Sequence, residues 1–371
     1  MRVAYLTEWS PFGETGVLRK LIGQVETWRE LGCEAEIFAL APRRDEAPSL
    51  GFERYGSVIG AIHQSSLEKH PAARLGFFNK IASAPLVSRA LRRFAPDVIY
   101  YRQNGPWYPG IGAQMRIAPT VMEINTDEGA ENSHWGAAFD ALYRLTQQRV
   151  VGPAAGFVAV TEEIAAKYRD RHKPVAVVPN SFWGEAPGPI APTAGGEPTF
   201  VFVGSPGMSW HGVDKIFLLA RGLPASRFHI VGFTAADFPG ETIPENMVLH
   251  GHQTGPELSA IYARSDVGIG TLALHRKGMD EACPLKIREY LMNRLPVIIG
   301  YTEAEAALNA APYVLQLGND EGNVARNLET IVAFARDWAG RRVEDDLSFL
   351  SRSAKESQRL EFLAKVAGKP A

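Results

Sequence analysis

The sequence predicts an α/β protein made of two domains, each with a parallel β-sheet. Short apolar runs typical of buried strands alternate with helical patterns along the chain, as in sheets that helices cover on both faces. Residues 182–198 interrupt this alternation, because eight of their 17 residues are Gly or Pro. The length of 371 residues also fits two domains of about 150 residues each.

The first domain, residues 1–181, opens with a strand, a glycine loop and a helix. The strand at residues 3–6 leads into a loop that contains Gly13 and Gly16, and Gly32 ends the helix that follows. The further strands predicted in this domain are residues 36–40, 97–101, 120–124, 157–160 and 175–178. We therefore expect a Rossmann-like sheet here, joined to the second domain by the linker at residues 182–198.

The second domain, residues 199–345, repeats the same type of unit. Its predicted strands are residues 199–204, 228–232, 247–251, 267–271 and 296–300, with a helix at residues 213–221. The chain is helical and polar from Val324 onward, and we expect residues 346–371 to form a helix that returns to the first domain. Two facing sheets of this kind predict a cleft at the carboxyl ends of their strands, where such folds bind ligands.

Composition and charge exclude several classes of protein. The 39 Lys and Arg residues against 41 Asp and Glu give a net charge of −2, so nothing indicates a nucleic-acid partner. Cys33 and Cys283 are the only cysteines, which excludes a disulfide scaffold and a cysteine-built zinc site. We see no leader pattern and no apolar run near the ~18 residues of a membrane span. We therefore expect a cytoplasmic protein.

Residues 278–296 hold the densest set of chemically informative side chains. Pro284 suits the first position of a helix, and Lys286 and Arg288 then fall in the first turn, where acidic residues are usual. That placement favours an anion at the helix start, since backbone N–H groups and a lysine together bind phosphate. Glu281 and Glu289 suit the paired hydroxyls of a ribose or a sugar ring. A solvated amphipathic helix explains the same spacing about equally well.

The pair Glu281 and Glu289, running into PLKIREYLMNRLPVII, resembles the E-x7-E region of family 4 glycosyltransferases, which have the GT-B fold. The resemblance extends along the chain through the opening glycine loop, VAVTEEIA near Val158, VVPNS ending at Ser181, the FVG strand and SDVGIG. It implies transfer of a hexose from a UDP- or GDP-sugar with retention at the anomeric carbon, without a metal or a cofactor. The acceptor it implies is a saccharide or a lipid-linked saccharide of a cell-surface glycan.

The resemblance also implies roles for the residues of this motif. Glu289 would hold the ribose hydroxyls of the donor, and Glu281 the hydroxyls of the donated sugar. The stretch that would line the sugar and the diphosphate comprises Ala282, Cys283, Pro284 and Leu285.

The second domain departs from the family pattern where cations normally reach the diphosphate. Ser205 stands at the usual arginine position, and His211 stands at the usual lysine position, directly before Gly212. The substitutes available are His211, Lys215 and Lys286, of which Lys286 is the strongest. With a reference pKa of ~6.5, His211 would be only partly charged unless a bound diphosphate raised its pKa. A histidine packed beside Trp210 is the alternative interpretation.

The first domain departs too, because Asn125 stands where many relatives have a histidine. On one interpretation Asn125 hydrogen-bonds the donor sugar or the acceptor, while the leaving phosphate takes the acceptor's proton. On the other, Glu123 or Asp127 acts as a base on the acceptor side, and His134 lies further along. The glycine loop with Gly13 and Gly16 either approaches the diphosphate or is a plain strand-to-helix turn.

Two further segments suggest partners. His250 follows the strand where relatives hold the nucleotide base, so a turn histidine near the base is a better interpretation than a zinc ligand. Residues 69–96 contain six Lys or Arg and no acidic residue. This basic segment either contacts an anionic membrane or a lipid-linked acceptor, which would place the protein at the inner face of the membrane, or covers the first domain.

The sequence also suggests two alternatives to a glycosyltransferase. The departures at Ser205, His211 and Asn125 also suit a sugar-nucleotide-binding protein that no longer transfers. A nicotinamide-dependent oxidoreductase is disfavoured, because the loop GETG lacks the G-x-G-x-x-G spacing of dinucleotide-binding loops.

Overall fold

A computed structural model describes residues 1–68, 77–126, 137–182 and 196–369. The chain divides into two compact units, of which unit 1 comprises Met1–Val178 with Ser351–Ala371 and unit 2 comprises Pro179–Leu350. Both units are Rossmann-like parallel sheets flanked by helices, so the α/β fold class predicted from the sequence is confirmed.

The strands fall into two main sheets and one short pair. In chain order the strands of the described residues are β1 (Arg2–Thr7), β2 (Glu34–Ala39), β3 (Gly56–Val58), β4 (Val98–Arg102), β5 (Thr120–Ile124), β6 (Gly156–Ala159), β7 (Val175–Val177), β8 (Thr199–Val203), β9 (Arg227–Val231), β10 (Met247–Leu249), β11 (Val267–Ile269), β12 (Glu281–Ala282), β13 (Val297–Ile299), β14 (Thr302–Glu303) and β15 (Val314–Gln316). Unit 1 has the order β3-β2-β1-β4-β5-β6-β7, and unit 2 has β10-β9-β8-β11-β13-β15, with β12 and β14 as a separate pair.

Helices connect the strands in both units. Those of the described residues are α1 (Gly16–Glu30), α2 (Gln64–Glu68), α3 (Phe77–Phe94), α4 (Ile111–Gln114), α5 (Ala137–Thr146), α6 (Gln148–Val151), α7 (Glu162–Arg169), α8 (Val213–Gly222), α9 (Gly255–Ala263), α10 (Leu285–Met292), α11 (Asn323–Arg326), α12 (Leu328–Trp338) and α13 (Arg352–Ala367). Among the described helices, none combines the length and the hydropathy that a bilayer span requires.

The strand order places one topological switch point in each unit. From β1 the chain proceeds to β2 and β3 on one side and then to β4 and its successors on the other. In unit 2 the same reversal falls between β8 and β11. Ligands of open α/β sheets bind beyond the carboxyl ends of the strands at such points, so a ligand site is expected at these two edges.

The final helix packs in unit 1, as the sequence predicts. The Trp28 indole nitrogen on α1 donates to a Glu356 carboxylate oxygen at 2.8 Å, and Arg359 Nε donates to the Tyr100 hydroxyl at 2.9 Å. Tyr100 also packs edge to face with both Tyr5 and Trp28, which stack on each other in the same apolar core. These contacts fix α13 against the first sheet.

Unit 2 requires glycine where β8 and β9 end. A Cβ on Gly232, which has a φ of +91°, would lie 1.9 Å from the Gly204 carbonyl oxygen. A Cβ on Gly204 would lie 2.7 Å from the Phe202 ring and 2.9 Å from His211 Nδ1. The two strand ends therefore approach more closely than any other residue permits.

The structure contains every strand predicted from the sequence, to within two residues at each end. The strands that the sequence did not predict are β3, β15 and the pair β12 and β14, each only two or three residues long. The helix after Glu281 begins at Leu285 with Pro284 in the N-cap position, so the prediction that Pro284 starts the helix was one residue early.

Candidate functional site

The carboxyl edge of the unit 2 sheet brings two predicted site residues against the ring of Phe202, near the end of β8. Lys286 Nζ lies 4.2 Å from the centroid of this ring. The His211 ring meets it edge to face, with the two centroids 5.5 Å apart. Since β8 borders the switch point of unit 2, this cluster lies where ligands of open α/β sheets bind.

The ammonium group of Lys286 is buried and has no hydrogen-bond partner among the described residues. Burial lowers the pKa of Lys286 to about 7, while the carboxylate of Glu289 acts in the opposite direction. The face of an aromatic ring attracts a cation but accepts none of the three N–H bonds that an ammonium group donates. A buried cation in this condition is costly unless a ligand supplies the missing anion.

The start of α10 adds backbone donors beside Lys286. Pro284 is the N-cap residue, no side chain caps the first turn, and no acidic residue lies in it. The first amides of a helix have no partner within the helix and carry its positive dipole end. Together with Lys286 they form a site with hydrogen-bond donors and positive charge, which suits a phosphate group.

His211 cannot supply the second cation of the family pattern in this structure. Burial and the nearby charge of Lys286 lower the pKa of His211 to about 2, and a hydrogen bond with the Ser205 backbone acts in the opposite direction without reversing the shift. The ring is therefore neutral at pH 7 in the free protein, where the partial charge expected from the reference pKa is absent. Its Nδ1 is buried without a hydrogen-bond partner among the described residues, so it remains available for hydrogen bonding.

Lys215 has a structural role instead of a free ammonium group. Its Nζ donates to the carbonyl oxygens of Leu272 at 3.1 Å and Asp320 at 2.8 Å and to the Asn323 amide oxygen at 3.0 Å. Three acceptors use all the N–H bonds of a lysine. This geometry argues against the prediction that Lys215 contacts a diphosphate.

Ser205 is exposed and borders a cavity of about 390 Å³ within unit 2. The residues that line this cavity are Ser205, Pro206, Gly207, Met208, Ser209, Val213, Asp214, Phe233, Asp237, Phe238 and Arg276. Arg276 is engaged by Asp214, to which it donates two hydrogen bonds of 2.8 and 2.7 Å. The cavity next to Ser205 thus presents apolar and hydrogen-bonding surface, with its arginine already paired.

The two glutamates of the motif lie on different elements of unit 2. Glu281 lies on β12, where it pairs with Thr302 of β14, and Glu289 lies on α10. Glu289 accepts a hydrogen bond of 2.9 Å from the Tyr262 hydroxyl. Both glutamates are half-buried, so they keep the access to solvent that a role in hydroxyl binding requires.

Arg288 braces the loop that precedes α10 instead of facing an anion. It is buried and donates to the Glu303 carboxylate at 2.7 Å, the Cys283 Sγ at 2.8 Å and the Asn180 carbonyl at 2.8 Å. Asn180 in turn donates to the Cys283 carbonyl oxygen at 2.7 Å. The sequence placed Arg288 beside Lys286 as a second cation of the first turn, but Asn180 and Glu303 are too distant in the chain to reveal this pairing.

His250 directly follows the edge strand β10 of the same sheet and pairs with His229 of the neighbouring strand β9. Its Nε2 is 2.9 Å from Nδ1 of His229. Burial lowers the pKa of both rings, that of His229 to about 4. Among the described residues, no cluster of three or more His, Cys, Asp or Glu side chains offers a metal site.

In unit 1, Asn125 and Glu123 belong to a buried polar network at the end of β5. Lys20 Nζ is 2.8 Å from a carboxylate oxygen of Glu123 and donates to the Asn125 amide oxygen at 2.5 Å. Glu123 also accepts from the Tyr5 hydroxyl at 2.7 Å and lies 3.4 Å from Arg102. Burial alone would raise the pKa of Glu123, yet the charges of Lys20 and Arg102 hold it well below its usual range. Glu123 is thus a weak base.

Of the remaining candidates in unit 1, the glycine loop with Gly13 and Gly16 lies among the described residues. Gly13 has a φ of +90°, and its N–H donates to Ser49 Oγ at 2.9 Å. Gly16 is the first residue of α1, behind the N-cap Thr15, whose hydroxyl accepts from the Leu18 amide. These features are those of a strand-to-helix turn, and Gly13 keeps open space beside it. Asp127 and His134 lie outside the described residues.

The basic segment is described from α3 onward, whereas Lys69 and Arg74 lie outside the described residues. Lys80 pairs with the buried Glu8. One face of α3 is buried and the opposite face is exposed. The exposed apolar residues of that face are Phe78, Ile81 and Leu86, exposed by 52%, 37% and 41%, and its exposed basic residues are Arg89, Arg92 and Arg93.

Comparison with known proteins finds a family match in the first part of the chain. Residues 15–181 match the family described as a glycosyl transferase 4-like domain. No curated protein matches the chain at a significant level.

Solved structures match nearly the whole chain. Sucrose-phosphate synthase from Thermosynechococcus elongatus is similar over 99% of this chain and 96% of its own, with a TM-score of 0.65 and 11% identity. Anabaena HepE in complex with UDP and glucose is similar over 98% of this chain and 99% of its own, with a TM-score of 0.58 and 14% identity. These similarities show the GT-B fold.

The same fold also supports other chemistry. UDP-GlcNAc 2-epimerase from Neisseria meningitidis, bound to UDP-GlcNAc, is similar over 98% of this chain and 100% of its own, with a TM-score of 0.52 and 13% identity. Fold alone therefore does not decide the reaction, which depends on the residues of the site.

Proposed function

We propose that this protein is a glycosyltransferase that moves a sugar from a UDP- or GDP-sugar to a saccharide or lipid-linked acceptor, with retention at the anomeric carbon. The observation that carries the proposal is the buried, unpartnered ammonium group of Lys286 at the start of α10. A diphosphate is the anion that such a site suits. The glycosyl transferase 4-like domain at residues 15–181 supports the same reaction class.

In this proposal unit 2 binds the donor. Lys286 and the first amides of α10 hold the diphosphate, and neutral His211 and exposed Ser205 add hydrogen bonds. Glu289 accepts hydrogen bonds from the ribose hydroxyls, and Glu281 accepts them from the donated sugar. A carboxylate that accepts two hydrogen bonds at once suits such paired hydroxyls.

The proposed reaction needs little help from a side-chain base. The bond between the anomeric carbon and the phosphate oxygen breaks, a bond to the acceptor oxygen forms on the same face, and the leaving diphosphate takes the acceptor's proton. Lys286 and the helix amides stabilise the negative charge that develops on the leaving group, which is the role a metal ion would otherwise have. The low pKa of Glu123 favours this route over a base at that residue.

The proposal is tested by titrating the protein with UDP, GDP, uridine, guanosine and NAD, followed by assays of sugar transfer. We expect a nucleoside diphosphate to bind more tightly than its nucleoside, and the corresponding nucleotide sugar to be consumed when an acceptor is present. Binding of NAD in preference to UDP and GDP, or binding of none of these ligands, would contradict the proposal.

A non-catalytic sugar-nucleotide-binding protein is the second candidate. It is favoured by Ser205 and the neutral His211, because both cations of the family pattern are replaced. The same titration separates the two functions when it is combined with product analysis. Tight binding of UDP-sugar or GDP-sugar without release or transfer of the sugar would support this second candidate.

We further propose that α3 places the protein on an anionic membrane, at the cytoplasmic face where a lipid-linked acceptor of a cell-surface glycan would be presented. On its exposed face the apolar residues Phe78, Ile81 and Leu86 precede the basic residues Arg89, Arg92 and Arg93, and α3 contains no acidic residue. Apolar side chains that enter the headgroup region and arginines that pair with lipid phosphates fit this order.

Vesicle binding tests the proposed membrane contact. We expect the protein to bind vesicles that contain phosphatidylglycerol and not vesicles of phosphatidylcholine alone. Replacing the three arginines of the exposed face by Gln should weaken binding about 100-fold, at about 1 kcal/mol for each charge. The matched control replaces three exposed arginines elsewhere, Arg54, Arg116 and Arg227, by Gln. An equal loss in the control, or a preference of the same face for duplex DNA, would contradict the proposal.

A further inference from the structure

The contact between Lys20 and Asn125 fixes the orientation of the Asn125 amide. Lys20 Nζ and the Asn125 side-chain oxygen are 2.5 Å apart, across 105 positions of the chain. A lysine ammonium group only donates hydrogen bonds, so it must face the amide oxygen and not the amide nitrogen. The amide nitrogen therefore points away from Lys20.

Lys20 is itself buried and held by a second partner. It is 1% exposed, and its second partner is the carboxylate of Glu123, which is 3% exposed. Glu123 is fixed in turn by the Tyr5 hydroxyl and by Arg102. The network thus fixes the position of the Asn125 side-chain oxygen, while Asn125 itself is only half-buried.

The amide nitrogen of Asn125 has no hydrogen-bond partner among the described residues, yet it is not one of the buried unpartnered atoms. The two N–H bonds of Asn125 can thus be donated to a ligand. Asparagine normally offers a substrate both a donor and an acceptor, and here Lys20 already occupies one of the two lone pairs of the oxygen.

We propose that Lys20 is a positioning residue that makes Asn125 a hydrogen-bond donor toward the substrate, so that the substrate group it contacts is an oxygen with a free lone pair. This inference rests on the proposed function and states that, in one of its contacts, the protein donates the hydrogen bond and the substrate accepts it. A sugar oxygen that can accept a hydrogen bond, whether from a hydroxyl, a carbonyl or a carboxylate group, fits this position. A group that can only donate hydrogen bonds does not fit it.

The direction of the hydrogen bond between Asn125 and the substrate is tested by comparing Asn125→Asp with Asn125→Ala in sugar transfer. In Asn125→Asp, one carboxylate oxygen keeps Lys20 as an ion-pair partner, and the other replaces the N–H bonds with lone pairs that face the substrate oxygen. We expect kcat/KM to fall about tenfold in the alanine variant and about tenfold further in the aspartate variant, with the melting temperatures of both close to that of the parent. The parent must therefore have a higher kcat/KM than Asn125→Ala, and Asn125→Ala must have a higher kcat/KM than Asn125→Asp.

The opposite order would overturn the inference. If Asn125 accepted a hydrogen bond from a substrate hydroxyl, Asn125→Asp would match or exceed the parent and would exceed Asn125→Ala. A merely structural residue would lower activity and melting temperature together, without separating the two variants in kcat/KM.

A double-mutant cycle tests the part played by Lys20. Because Lys20→Met alone would leave Glu123 buried without this partner, the background is Lys20→Met with Glu123→Gln, checked by thermal melting. In this background we expect Asn125→Ala to change kcat/KM less than twofold, since the amide is no longer oriented. An undiminished effect of Asn125→Ala there would contradict the positioning role.

Failure of this inference is distinguishable from failure of the proposed function. Nucleoside diphosphate binding is measured on every variant, because the donor residues proposed above belong to unit 2 and Asn125 belongs to unit 1. Absence of binding and transfer in the parent would reject the proposed function. Transfer by the parent, combined with an aspartate variant at least as active as the alanine variant, would reject the inference alone.

Discussion

Two lysines with buried ammonium groups, Lys20 in unit 1 and Lys286 in unit 2, differ in their partners. Lys20 lies 2.8 Å from a Glu123 oxygen and donates to the Asn125 amide oxygen at 2.5 Å. Lys286 has only the face of the Phe202 ring at 4.2 Å, and no hydrogen-bond acceptor among the described residues. Burial lowers the pKa of both, that of Lys20 to about 8 and that of Lys286 to about 7.

The ammonium group of Lys20 therefore has its anionic partner among the described residues, whereas that of Lys286 does not. A buried ion pair is satisfied by the protein itself, so Lys20 and Glu123 contribute to a fixed arrangement of unit 1. A buried ammonium group without acceptors destabilises the free protein, and a bound anion removes that cost. The unpartnered lysine is therefore the better indicator of a ligand site, even though both residues are lysines at a sheet edge.

The largest effect is expected on stability, where the two lysines should respond differently. Lys20→Met should lower the free energy of unfolding by about 3–5 kcal/mol, because it leaves the Glu123 carboxylate buried without its closest cation. Lys286→Met should leave it unchanged or raise it, because it removes a buried charge that has no acceptor. Urea denaturation of both variants measures this. Equal losses in the two variants would show that Lys286 is paired like Lys20.

The next effect concerns ligand affinity in unit 2. Lys286→Met should raise the Kd for the nucleoside diphosphate about 100-fold, as expected for loss of a charge-assisted hydrogen bond. It should leave the Kd for the nucleoside nearly unchanged. Isothermal titration with UDP and uridine, and with GDP and guanosine, gives both constants. Parallel losses for nucleoside and diphosphate would argue that Lys286 does not contact phosphate.

A smaller effect is expected at Glu289, which accepts a hydrogen bond from Tyr262. Glu289→Ala should weaken binding of the nucleoside about tenfold, because it removes an acceptor for the ribose hydroxyls. Tyr262→Phe is the matched control, since it removes the protein's own donor to the same carboxylate. An alanine variant that binds nucleoside like the parent would reject the assignment of Glu289 to the ribose.

The sequence predicted the elements of the fold well and the state of its charged residues less well. Strands such as residues 297–299, which read VII, have continuous apolar character, and their boundaries follow from local composition. The strands β12 and β14 have only two residues each, too few for any periodicity to appear. Short elements of this kind are defined by their pairing partners, which a single sequence does not reveal.

The same limit applies to the candidate site. Lys215, Lys286 and Arg288 are equivalent as cations in the sequence, but three acceptors engage Lys215, and Glu303 pairs with Arg288 at 2.7 Å. Of the two lysines, only Lys286 has an ammonium group without a hydrogen-bond partner among the described residues, and Arg288 has one such nitrogen, Nη1, beside its paired ones. The link between Lys20 and Asn125 likewise joins two positions far apart in the chain, so no local spacing could have indicated it.

Proton uptake on nucleotide binding tests most directly whether Lys286 binds the diphosphate. Because the pKa of Lys286 in the free protein is about 7, the group is mostly neutral at pH 8, and a bound diphosphate should raise its pKa. Calorimetry with UDP or GDP at pH 8, in buffers of different ionisation enthalpy, should therefore show uptake approaching one proton, with little uptake at pH 6. Lys286→Met should abolish the uptake at pH 8. Binding without proton uptake at pH 8, or the same uptake in Lys286→Met, would contradict the account.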